Sequence, residues 1–208
     1  MRIIAFEAAT ARASIAFVDD ADGLIWERTF DAQGRLSTLL LPTVAALEAE
    51  AWPVAAANLI VVAAGPGSFT GLRVALAAVK GLAFATGTPV ATVNSLAAVA
   101  VGAGMLGRGT AVFDARGGYY FAAVYRVESG WADEVTPTAL ATARDLEMFD
   151  CDWFAGPPPR PESVPSTRWL EVWPRAATLA RLGAAEYRLR GGCTLAVLRP
   201  NYLKRGQV

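Results

Sequence analysis

The chain has 208 residues, 19 basic and 19 acidic groups, no histidine and 54% hydrophobic residues. That length can bury a sizeable core, and the composition excludes an intrinsically disordered chain. Zero net charge supplies no bulk attraction to nucleic acid or to an anionic bilayer, and the lack of imidazole removes Ser-His-Asp and Cys-His catalysis together with every His-based metal site.

Cys151 and Cys193 stand too far apart for a CxxC motif and read as inert thiols. No clustered ligand spacing is visible, so neither a metal nor a cofactor is expected. The opening MRIIAFEAA is interrupted by Glu7 and reads as a strand rather than a secretion signal. The charge-free stretch 81–107 is broken by Gly87, Pro89, Asn94, Ser95 and Gly102, so no membrane span and a cytoplasmic location are expected.

Residues 2–6, 12–18 and 24–30 are β-branched or aromatic runs separated by Ala/Thr and Asp/Gly turns, the pattern of a three-stranded meander. Leu36, Leu40, Val44, Leu47 and Ala51 recur at helical spacing, and Pro42 predicts a kink or a start later than Ser37. The continuous apolar run 58–65 suits a central strand covered on both faces. After the loop GPGSFTG at 65–71, the residues Leu72, Ala75, Leu76, Val79, Leu82 and Ala83 mark a second helix, followed by a strand at 89–93 and a helix from Ser95.

Runs at 109–115, 119–127 and about 131–135 repeat the opening meander; 139–148 reads as helix and 151–155 as strand. The segment GPPPRPESVPS at 156–166 can be neither helix nor inner strand, because its prolines lack donors, and it reads as a loop or strap. The expectation is an α/β protein of two lobes, 1–108 and an abbreviated 109–208, each a mixed sheet flanked by helices. Residues 157–208 carry 9 basic and 3 acidic groups, with Arg175, Arg181 and Arg188 expected either simply on the solvated side of a last helix or as a weak RNA or partner-docking patch.

Two candidate sites emerge. Gly65, Gly67, Ser68 and Thr70 lie where a buried strand opens into a helix, a place where backbone N–H groups favour a phosphate. The lysine of a P-loop is missing, and tight-turn and capping roles explain the same residues. Glu7-Ala8-Ala9-Thr10 and Asp114-Ala115-Arg116-Gly117-Gly118 are the hairpins that could flank such a phosphate, with Asp114 and Arg116 as contacts. On the second helix Arg73, Ala77, Lys80 and Phe84 share a stripe offset from the core-facing residues, and Leu39 and Ala46 continue it on the first helix. Small residues mixed with Arg and an aromatic suit helix-on-helix docking of another protein.

The segments MRIIAFEAATARASIAFV, GPGSFTGLRVALAAVKGLA, VNSLAAVA, FDARGGYYFAAVY and RPNYLKR together resemble the bacterial TsaB (YeaZ) family of tRNA threonylcarbamoyladenosine biosynthesis. The resemblance implies an actin-like, hsp70-like (ASKHA, ribonuclease H-like) fold and a non-catalytic paralogue of the transferase subunit TsaD. It implies pairing with TsaD through first-lobe helices, here residues 37–51 and 71–86, with TsaE and tRNA reached through the assembled complex and a homodimer possible when the chain is alone. Glu7 replaces an Asp usual in the family, Leu36 stands where many relatives have His, and the second lobe is shortened. A stand-alone nucleotide-binding ATPase or kinase of the same fold is the alternative, since fold alone does not dictate function.

Overall fold

The structure is a computed structural model and describes residues 1–201 and 203, so Tyr202, Lys204 and Arg205 of the RPNYLKR segment lie outside the described residues. The described chain forms two compact units, Met1–Ser95 with Arg175–Asn201, and Leu96–Pro174.

In the first unit β1 (Arg2–Glu7), β2 (Arg12–Asp19) and β3 (Leu24–Asp31) form the expected antiparallel meander. After α1 (Leu36–Glu50), β4 (Leu59–Gly65) pairs parallel with β1; after α2 (Phe69–Thr86), β5 (Val90–Asn94) pairs parallel with β4. The sheet order is β3-β2-β1-β4-β5. Ile4, Phe6, Ile15, Phe17, Ile60 and Val62 point into one core with Leu36, Leu40, Val44 and Leu47 of α1 and Ala75, Leu76 and Val79 of α2. Pro42 lies inside α1 and does not delay its start. An interior proline costs about 3 kcal/mol, which burial of four large apolar side chains at about 1.5–3 kcal/mol each offsets.

In the second unit α3 (Ser95–Gly102) precedes β6 (Gly107–Arg116), β7 (Tyr119–Glu128) and β8 (Trp131–Thr142), a second antiparallel meander. Then α4 (Ala143–Glu147), β9 (Trp153–Gly156) and β10 (Trp169–Glu171) follow, in the order β10-β9-β6-β7-β8 with β6, β9 and β10 parallel. The connectivity copies the first sheet, but the crossovers shrink. The helix expected over 139–148 is instead the end of β8 followed by the five residues of α4. Thr142 and Asp145 cap each other's backbone there, which fixes the helix start at Ala143. Between β9 and β10 the Pro-rich strap takes the place of a helix; its Val164 packs with Val112, Leu146 and Phe154 over the sheet.

The final helix α5 (Ala176–Arg190) belongs to the first unit and covers the other face of its sheet. Its N-terminal donors are met from the meander: Ser14 Oγ accepts from Ala176 N at 2.8 Å and Glu27 Oε1 from Ala177 N at 3.2 Å. The second Glu27 oxygen pairs with Arg175. Gly183 sits so close to Val61 of β4 that a methyl group would overlap that side chain. With helices on both faces, β1 and β4 are buried on both sides, which explains their unbroken apolar character. The compact units therefore differ from the expected lobes 1–108 and 109–208 at both edges: residues 96–108 join the second unit, and 175–201 return to the first. A division by sequence position cannot register a C-terminal helix that closes the first sheet.

Candidate functional site

The α2 helix is anchored by Leu72, Ala75, Leu76, Val79 and Ala83, all buried. Ser68 caps it, its Oγ accepting from Gly71 N at 3.2 Å, and Gly87 ends it in the left-handed conformation at φ 71°. By length and composition α2 could cross a membrane, but its inner face is part of the first core. The opposite face is the predicted stripe: Arg73, Ala77 and Phe84 are exposed and Lys80 is half-buried. Phe84 is 84% exposed, a value that sets it apart from every other aromatic side chain among the described residues.

Helix α1 packs beside α2 and extends this face with half-buried Leu39, exposed Ala46 and exposed Leu41. Sequence reasoning missed Phe69, whose ring is half exposed and lies 3.7 Å beneath the Arg73 guanidinium. The signal was present, since Phe69 and Arg73 are four residues apart and so stack on one helix face. Gly81, one of the small residues of the same stripe, is exposed and has nothing within 4 Å of where a side chain would begin. A mid-helix glycine costs about 1 kcal/mol relative to alanine, and no packing among the described residues explains its use here.

The phosphate loop behaves differently. Gly67 and Gly71 lie against the turn that joins β1 to β2: a side chain at Gly67 would strike the Ala9 carbonyl, and one at Gly71 the Ala8 carbonyl. Ser68 N donates to Ala9 O at 2.6 Å. Gly65, at φ 99°, is wedged against Leu72 and the carbonyl of Asn201, whose own N–H donates to Ala64 O at 2.7 Å. Thr70 is exposed in the first turn of α2. The loop's glycines thus serve close backbone approach, and a loop N–H that a phosphate would require is already engaged by the neighbouring turn.

Glu7 sits inside that turn, fully buried. Its Oε1 accepts from Ala9 N at 2.6 Å, and Oε2 has no hydrogen-bond partner among the described residues. Burial pushes its pKa up to about 7, opposed by hydrogen bonds from Ala9 and Ala8. The acidic chain is therefore held by backbone donors and not presented to solvent. In the other unit Asp114 Oδ1 accepts from Arg116 N at 2.7 Å, closing a hairpin in which Arg116, Gly117 and Gly118 all have positive φ. Asp114 and Arg116 are exposed, and they belong to a different compact unit from Gly65–Thr70. Among the described residues no three His, Cys, Asp or Glu side chains gather as a metal site.

The basic C-terminal segment is partly spent internally. Arg175 pairs with Glu27, Arg188 with Asp20 at 2.7 Å and Arg190 with Glu186 at 3.3 Å, while Arg181 is exposed.

The family model described as "TsaD: tRNA N6-adenosine threonylcarbamoyltransferase" matches residues 31–160. The tRNA threonylcarbamoyladenosine biosynthesis protein TsaB of Escherichia coli (strain K12) is 34% identical over 147 residues, 67% of this chain and 62% of that protein. Its Bacillus subtilis (strain 168) counterpart is 34% identical over 96 residues, 46% of this chain and 39% of that protein. The solved structure of YeaZ from Pseudomonas aeruginosa superposes with a TM-score of 0.81 at 26% identity, covering 97% of this chain and all of that one. The chain belongs to the TsaB/YeaZ family. The matches thus span under two thirds of the length of both curated relatives. Two mixed sheets of equal connectivity, flanked by helices and joined to the YeaZ likeness, make the fold actin-like, of the ASKHA and ribonuclease H-like class, with an abbreviated second lobe. Within this TsaB/YeaZ chain the GPGSFTG segment packs against the first hairpin turn, and the helix it opens carries the exposed face.

Proposed function

We propose that this chain is a non-catalytic scaffold subunit that docks the catalytic subunit TsaD, supporting threonylcarbamoylation of the adenosine beside the anticodon in tRNAs that read A-starting codons. The observation that carries this reading is the exposed α1–α2 face, above all Phe84, standing on helices anchored firmly in the core beneath. An aromatic side chain left in water beside small residues is what a helix-on-helix interface needs, and bundling two helices from each protein buries on the order of 1,200–2,000 Å². The names of the curated relatives place them in tRNA threonylcarbamoyladenosine biosynthesis. The missing histidines and the engaged N–H of the phosphate loop support a role without turnover. TsaE and tRNA join through the assembled complex, in the cytoplasm.

The test is co-purification with TsaD from the same cell, followed by a reconstituted modification assay with and without this chain. Phe84→Ala and Ala77→Arg are expected to abolish capture of TsaD and, with it, stimulation of tRNA modification. Full capture by both variants refutes the docking face. Modification that proceeds unchanged without the chain refutes the scaffold.

A further inference from the structure

Glu7 stands where three elements of the first unit meet. It ends β1, lies directly opposite Ser14 of β2, and opens the turn on which the GPGSFTG loop packs. Its Oε1 holds Ala9 N at 2.6 Å, and the carbonyl of that same residue receives Ser68 N at 2.6 Å. Gly67 and Gly71 press against the Ala9 and Ala8 carbonyls. Across the strand pair, Ser14 Oγ accepts the first N–H of α5, from Ala176, at 2.8 Å. One carboxyl thus fixes the turn that seats the start of α2.

Nothing around that carboxyl answers a charge. Among the described residues Oε2 has no hydrogen-bond partner, and no ion pair includes Glu7. Neither β4 nor the loop 65–71 carries a titratable side chain. The charged groups of the surrounding elements point elsewhere: on β2 Arg12 is exposed, on α2 Arg73 is exposed over the Phe69 ring, at the start of α5 Arg175 is paired with Glu27, and Arg199 of the last segment is exposed. A buried carboxylate with one unpaired oxygen is strongly disfavoured, so the closed turn holds the carboxyl protonated and its ionisation has to be met by water. Water is near, because the same turn runs out through half-buried Thr10 to exposed Ala11.

We propose that Glu7 is a proton-operated latch on the start of α2. Protonated, it keeps the β1–β2 turn closed against the GPGSFTG loop. Ionised, it swings to water, parts Ser68 N from Ala9 O and loosens the first turn of the helix, which Ser68 caps. The middle of α2 stays in place, held by buried Leu72, Ala75, Leu76 and Val79. The latch needs no partner protein and stands or falls apart from the docking reading.

The test is native-state hydrogen exchange of this chain, read amide by amide by NMR from pH 5 to pH 8, corrected for intrinsic rates, with and without sub-denaturing urea. The closed form is favoured most where closed and open forms are both protonated, and it loses ground as pH rises toward about 7, to which burial pushes the closed carboxyl. Protection of Ser68 N is expected to fall roughly fiftyfold over that range, on the shift from 4.5 to about 7. The fall is expected to be independent of urea, the mark of a local opening, while Val61 and Val62 of β4 exchange only through the urea-dependent global route. Glu7→Gln is expected to hold Ser68 protection constant with pH, and the carboxyl carbon resonance of Glu7 in the natural chain to titrate in step with the loss at Ser68. Ser68 protection that ignores pH, or changes only by the urea-dependent route shared with β4, overturns the latch. So does an equal fall in Glu7→Gln. Should that variant fail to fold, the carbon resonance decides: an inflection near the ordinary 4.5, out of step with Ser68, overturns the assignment to Glu7.

Discussion

Glu7→Gln isolates a buried carboxyl that no cation accompanies among the described residues. The folded pKa is raised from 4.5 to about 7 by burial, so the sign follows directly. Below the unfolded pKa both states are protonated and the full stability is present. As pH rises toward the folded pKa, the unfolded chain ionises first and stability falls by about 1.4 kcal/mol per pH unit for this group. The difference between 4.5 and about 7 sets a total loss of about 3 kcal/mol, complete above neutrality. Glutamine keeps the acceptor for Ala9 N and cannot ionise, and its amide leaves one position unpartnered as Oε2 already is. Urea unfolding of both chains at pH 4.5, 6 and 8 is the assay. The variant is expected to match the natural chain near pH 4.5 and to exceed it by about 2–3 kcal/mol at pH 8. Parallel pH profiles over that range would refute the reasoning and mean that Glu7 ionises in contact with water or an unseen cation.

Gly71→Ala drives a methyl into the Ala8 carbonyl and Gly183→Ala one into Val61; each is expected to cost about 1–3 kcal/mol in urea unfolding, as overpacking does, and a loss under about 0.5 kcal/mol would deny the close approach. Glu27→Ala removes the acceptor for Arg175 and Ala177 N, with an expected cost of about 1–3 kcal/mol and faster hydrogen exchange at the start of α5 than at its centre. Phe84→Ala is expected to leave urea stability within about 0.5 kcal/mol, since the side chain stands in water, while TsaD capture is lost. Calorimetry of the isolated chain with ATP and magnesium is expected to give no binding heat, because Ser68 N is held by Ala9 O; micromolar binding lost in Asp114→Ala would support the nucleotide-binding alternative.

Local chemistry alone specified most of the elements. Both meanders, the strands β4 and β5 and the helices α1 and α2 follow from apolar spacing and turn residues that act within a few positions along the chain. The α2 stripe was legible for the same reason: once Leu72, Leu76 and Val79 face inward, helical geometry turns Arg73, Ala77 and Phe84 outward. Residues 139–148 misled because a chain rich in alanine and leucine suits either element, and it was pairing of Leu140 with Phe121 and Ala141 with Tyr120 that held its first part as strand. The destination of α5, the docking of its first turn on Ser14 and Glu27, and the burial of Glu7 depend on partners up to 162 positions away. Long-range contacts of that kind leave no periodic trace in sequence. The loop glycines show the limit most clearly: their letters suit a phosphate turn or a tight one alike, and only the folded chain revealed that Gly67 and Gly71 lie against the Ala9 and Ala8 carbonyls of the first hairpin turn, where a side chain has no room.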